Sequence, residues 1–162
     1  MQEQEKKIKG KLEVVCGPMF SGKSEELMRR LRRAKIARQN VIIFKPKIDT
    51  RYVADNIVSH DGNSLDAFPI EDAQEILSIA LHNRATIIGI DEAQFFNTAV
   101  IDVICTLIEH GKRVVVAGLD LDYRGVPFGP MPTLLAIADT ITKLQAICNI
   151  CGVDAHFTQR IV

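Results

Sequence analysis

Residues 17–24, GPMFSGKS, place two glycines five positions apart and follow the second with lysine and serine. No other stretch restricts the fold as tightly, because the pattern works only as a loop between a strand and a helix. The glycines let backbone N–H groups curl round phosphate oxygens, Lys23 reaches the outer phosphates, and Ser24 can ligate Mg²⁺. The helix that opens there adds unpaired N–H groups and the positive end of its dipole. The flanks supply what this requires. KLEVVC, 11–16, is a valine-rich apolar run that reads as a buried strand. SEELMRRLRRAKIARQN carries Leu27, Leu31, Ala34 and Ile36 at near-helical spacing behind the acidic Glu25 and Glu26.

Further along, VIIFK at 41–45 reads as a second buried strand, so the first crossover demands a parallel pairing. Residues 46–64 are polar and broken by Pro46 and Gly62, with room only for a brief strand at Ile57–Ser59. EDAQEILSIALH reads as a helix, ATIIGID (85–91) as a strand, TAVIDVICTLIEHG (98–111) as a helix and KRVVVAGLD (112–120) as a strand. Glycines and prolines make 122–132 a loop, followed by a short helix around Leu134–Ala138 and a strand within ITKLQAIC. Strands apolar throughout and alternating with helices predict an α/β fold with a mostly parallel sheet covered on both faces.

A chain of 162 residues suits one domain of common size. Its 20 basic and 20 acidic residues balance, which argues against nucleic acid or an anionic membrane as a partner. The local basic run at Arg29, Arg30, Arg32, Arg33, Lys35 and Arg38 reads as the solvated face of a helix. The first eleven residues are too polar for a signal peptide, and no apolar run is long enough to span a membrane, so a cytoplasmic protein is expected. In that reducing compartment Cys148 and Cys151, a C-x-x-C, are not expected to be a disulfide. Their spacing suits two thiolates gripping one tetrahedral Zn²⁺, with a chance C-x-x-C or a redox pair as the alternatives.

A second constellation supports the first. IIGIDEAQFF, 87–96, sets Asp91 and Glu92 where a buried strand ends, the ligand-facing edge of an open parallel sheet. Asp91 fits the acid that holds Mg²⁺ beside Ser24. Glu92 can accept a proton from water, giving hydrolysis, or from a bound hydroxyl, giving a kinase, and the motif leaves both open.

Taken in order, GPMFSGKSEELMRRLRR, KPKIDTRY with SHDG, IGIDEAQFF, VVVAGLDLDYRGVPFGPMP and KLQAICNICG resemble the cytosolic type of thymidine kinase, with its RecA-like core. The likeness covers nearly all of the chain from Lys11. It implies ATP-dependent phosphorylation of the 5′-hydroxyl of thymidine or deoxyuridine, in a cytoplasmic homotetramer that serves DNA synthesis. Carried over by position, the ATP site comprises Gly17, Pro18, Met19, Phe20, Ser21, Gly22, Lys23, Ser24, Asp91 and Gln94. Glu92 is the implied base, with Lys23 and Arg51 stabilising the transferring phosphoryl group. Met19, Phe95, Leu119, Tyr123, Phe128 and Thr158 match positions around the thymine ring. The resemblance divides the chain into a kinase domain at 1–146 and the start of a zinc-binding lasso at 147–162. A second pair of zinc ligands, and the lasso that caps the pyrimidine, would follow Val162, so the 162 residues read as a fragment. The alternative is a RecA-like motor that hydrolyses nucleotide to drive binding, against which stand the neutral charge and the lack of a basic, aromatic-laced strand. A GTPase is weaker still, for want of an Asn-Lys-x-Asp segment to read guanine.

Overall fold

Strands that are apolar on both faces must be covered twice, and the chain does this with a single sheet. The computed structural model describes residues 9–47 and 65–158. The expected Ile57–Ser59 strand, Arg51 and the SHDG stretch lie outside the described residues. The elements run β1 (Lys11–Cys16), α1 (Lys23–Ile36), β2 (Val41–Pro46), β3 (Ala67–Ile70), α2 (Ala73–His82), β4 (Ile87–Ile90), a 3₁₀ turn (Ala93–Phe95), α3 (Ala99–Glu109), β5 (Arg113–Gly118), α4 (Met131–Ile137), β6 (Thr140–Lys143), β7 (Ala146–Ile147) and β8 (Asp154–Ala155). Six of the strands form one sheet in the order β3-β2-β4-β5-β1-β6, and every neighbouring pair is parallel. β7 and β8 pair only with each other, antiparallel.

The pleat sorts the core into two layers. Leu12, Val14 and Cys16 of β1 share a face with Phe44, Ile88, Ile90, Val114 and Val116, and there α2, α3 and α4 pack. Val15, Ile43, Ile87, Val115 and Ala117 look the other way, toward Leu27, Leu31 and Ala34 of α1. Leu27 and Leu31 are fully buried, which stabilises the fold by about 1.5–3 kcal/mol for each. α1 therefore hangs from the phosphate loop at one end and is fastened to the sheet along its length. No described helix is long and apolar enough to cross a membrane.

Three elements depart from the sequence reading: β3, α4 and the two-residue β8. β3, AFPI, carries Pro69, a residue that strand interiors exclude. It lies at the sheet edge beside β2, where a missing N–H is tolerated. α4 begins at Met131, inside the stretch read as loop. Prolines 130 and 132 look like breakers, but in a first helical turn their missing N–H groups leave no bond unmade.

The basic run is more than a solvated face. Arg29 and Arg30 both hold Glu26, and Arg30 reaches on to Glu13, which Arg113 also grips. Hydrogen bonds from Arg29 carry the Glu26 carboxyl down to about 2 against the opposing effect of burial. Burial would raise Glu13, but Arg113 and Arg30 outweigh it and bring it below its usual range. Both folded pKa values are depressed, so the stability they contribute is present above the unfolded value and lost as pH falls through the folded one. The thermal midpoint is expected to drop from about pH 4.5 down toward pH 2. Glu26→Gln should flatten that slope, and an identical acid limb in the variant would count against the network.

Candidate active site

The phosphate loop leaves β1 at Gly17, whose φ of 147° suits glycine. A Cβ there would stand 2.5 Å from the Leu144 carbonyl oxygen and 2.9 Å from Ser21 Oγ. Gly22, at φ 87°, closes the loop in the left-handed region and hands the chain to α1. Between them the Pro18 carbonyl accepts from Ser21 Oγ at 2.7 Å and from Lys23 Nζ at 2.6 Å. Phe20, Gly22, Lys23, Ser24 and Glu25 line a cleft of about 370 Å³. Burial lowers the Lys23 pKa, while Asp91, Asp120 and Glu25 favour its charge.

β4 ends at Ile90 and delivers Asp91 to the same edge, 5% exposed. Ser24 Oγ donates to Asp91 Oδ2 at 3.0 Å, and the Glu92 N–H donates to Oδ1 at 2.8 Å. Burial raises the Asp91 pKa, with the Glu92 N–H, the Ser24 hydroxyl and Lys23 opposing. A buried carboxylate and a hydroxyl in contact are the hard oxygen donors that Mg²⁺ takes. Glu92 has φ 50° and ψ 41°, a left-handed conformation that costs a non-glycine residue about 1–3 kcal/mol and concentrates at functional sites. Glu92 is exposed, yet partial burial raises its pKa, as does Asp91, while Lys45 and Lys23 oppose.

The residues expected around the substrate fall into three groups. Phe95 and Phe128 meet edge to face, ring centres 5.5 Å apart. Met19, about half exposed, donates its N–H to Thr158 Oγ1 at 3.0 Å, which brings the end of the described chain back to the phosphate loop. Tyr123 is half exposed beneath the Arg124 guanidinium. Gln94, expected at the nucleotide, is buried, and its Oε1 accepts from the N–H of the equally buried Leu119 at 3.1 Å. It braces the loop after β5, where Gly129 passes so close that a Cβ would lie 2.5 Å from the Gln94 carbonyl oxygen.

One residue escaped the sequence reading. Asp120, 6% exposed, ends the apolar run of β5 as Asp91 ends that of β4, and that shared position was the signal. At the other end of the chain, backbone N–H groups of Cys151 and Ile150 reach the Cys148 sulfur and lower its pKa, favouring the thiolate a metal needs. Among the described residues no group of three or more metal-ligating side chains gathers, so these two thiols fit half of a tetrahedral set.

The comparisons agree with this geometry. The family model described as thymidine kinase matches residues 10–162. A thymidine kinase of Bacteroides fragilis (strain YCH46) is 54% identical over 159 residues, 98% of this chain and 79% of that protein. One of Coprothermobacter proteolyticus is 57% identical over 153 residues, covering 94% and 76%. One of Rhodothermus sp. is 53% identical over 152 residues, covering 94% and 70%. A match across nearly every described element, with the phosphate loop and the acidic pair where phosphoryl chemistry requires them, leads to one statement of kinship: the chain belongs to the thymidine kinase family.

Proposed function

We propose that the protein phosphorylates the 5′-hydroxyl of thymidine, and of deoxyuridine, at the expense of ATP. The observation that carries this is the contact of Ser24 with Asp91, with Glu92 one residue further on. The loop amides and Lys23 hold the triphosphate, and Ser24 and Asp91 would hold Mg²⁺. When bound, the ion offsets the charge of the phosphate oxygens. Glu92 takes the proton of the 5′-hydroxyl as its oxygen bonds to the γ-phosphorus. The bond from that phosphorus to the β–γ bridging oxygen breaks, and ADP leaves. The 5′-hydroxyl is favoured over water because the residues assigned to the thymine ring by family likeness are apolar: Phe95 and Phe128, which meet edge to face, and Met19 on the loop itself. Lys23, and by family likeness Arg51, stabilise the transferring group.

In this reading residues 1–146 form the kinase domain and 147–162 begin a zinc-binding lasso, where Cys148 and Cys151 are two of the ligands. Support comes from the separate β7–β8 hairpin and the sulfur-directed N–H groups. A cytoplasmic homotetramer completes the reading and rests on family membership. The test is a coupled assay with ATP, Mg²⁺ and thymidine. Thymidine-dependent ADP release is the expected result, and its absence overturns the proposal. ADP release indifferent to nucleosides but stimulated by DNA would favour the motor instead. Metal analysis of a longer form that supplies a second ligand pair should find about one Zn²⁺ per chain, and a folded, metal-free long form would remove the zinc assignment.

A further inference from the structure

Asp120 takes no part in the steps above, yet its environment is unusual. Its Oδ2 pairs with Lys143 Nζ at 3.1 Å. Its Oδ1 is buried with no hydrogen-bond partner. A carboxylate oxygen left without a donor in the interior is costly, and such groups call for a reason.

The path of the ion pair supplies one. Cys16, the last residue of β1, pairs in register with Gly118 of β5 on one side and Lys143 of β6 on the other. Asp120 and Lys143 therefore join across the strand from which the phosphate loop departs. The residue after Lys143 continues the clasp. The Leu144 N–H donates to the Cys16 carbonyl at 2.8 Å, and the Leu144 carbonyl is the wall that restricts Gly17 to glycine. The Asp120 carbonyl accepts from the Phe128 N–H at 3.0 Å, which ties its backbone to a residue assigned to the nucleoside. Asp120 is also one of the charges that favour protonated Lys23. Together with burial, it pushes the Cys16 thiol up to about 11, which keeps that thiol unreactive at the root of the loop.

We propose that Asp120 is a positioning residue for phosphoryl transfer: its bridge to Lys143, thrown across the last residue of β1, fixes the root of the phosphate loop. The proposal rests on the kinase reading and adds to it a residue outside the glycine motif and the acidic pair. The side chain serves the ATP half of the site, so its loss should appear in ATP constants rather than thymidine constants.

The experiment compares Asp120→Asn, Lys143→Gln and the double variant, with rates expressed per folded molecule. Asp120→Asn should raise the KM for ATP roughly tenfold and lower kcat. The KM for thymidine should stay within about twofold of wild type. Lys143→Gln should shift the ATP constant in the same direction by less, because this lysine is more than half exposed. The double variant should be no worse than Asp120→Asn alone, the non-additivity of two groups acting as one. Wild-type constants with only a lower melting point would make the pair a structural tie and overturn the proposal, as would additive losses or an equal rise in both KM values. If Asp120→Asn does not fold, Lys143→Gln decides, and an unchanged KM for ATP in it overturns the proposal. ATP affinity measured without nucleoside separates two failures. Wild type that binds ATP but makes no thymidine-dependent ADP defeats the kinase reading, whereas wild-type ATP affinity in the variants defeats this one.

Discussion

Glu92→Gln is expected to leave ATP affinity nearly intact and to lower turnover by about 10²- to 10⁴-fold, the contribution of a positioned general base. Glutamine matches glutamate in size and places no new demand on the left-handed backbone at this position, so the fold should persist. What it lacks is an oxygen basic enough to take a proton. Glu92 directly follows Asp91, whose carboxyl is already engaged by Ser24 and by the Glu92 N–H. Asp91 is therefore no substitute base. Single-turnover kinetics beside an ATP-binding titration would check this, and unaltered turnover would remove Glu92 from the role.

Lys23→Met carries the second large effect, a fall in kcat of about 10²- to 10³-fold, as for the loss of one preorganised donor to a developing charge. The stability arm makes the prediction sharper. Burial depresses the Lys23 pKa despite the nearby charges of Asp91, Asp120 and Glu25, and its Nζ donates to the Pro18 carbonyl. Methionine fills much of the same volume without a charge to desolvate. The melting point of the variant should be no lower than that of wild type, while activity collapses. A variant that lost stability and activity in proportion would show that the lysine holds the loop rather than the phosphate.

Much of this molecule could be read before any coordinates. The buried strands were legible because their apolar runs are unbroken, and the helices because Leu27 and Leu31, or Val103 and Leu107, recur at the helical period. The glycine motif named its own place between β1 and α1, since no other setting lets its amides converge. What stayed hidden was decided by neighbours in space. The short β3 with its Pro69 was not seen, since only the sheet edge tolerates it, and Pro130 and Pro132 masked a helix that prolines can open. Arg30 looked like a solvated side chain until the strand carrying Glu13 was set beneath it. Asp120 belongs to the same class. Its meaning lies in Lys143, on a strand two places across the sheet from β5, and that adjacency is a product of topology. Gln94 was assigned to the nucleotide site by its place after Asp91 and Glu92, and its contact with the Leu119 N–H could not be read from the sequence.

The bond from the Met19 N–H to Thr158 Oγ1 has a thermodynamic corollary. Two segments 139 residues apart share one loop amide. Under the proposed function a triphosphate oxygen that accepts from the Met19 N–H competes with Thr158 for it, and by reciprocity whatever the nucleotide does to the terminal stretch, a change in that stretch returns to nucleotide affinity by an equal free energy.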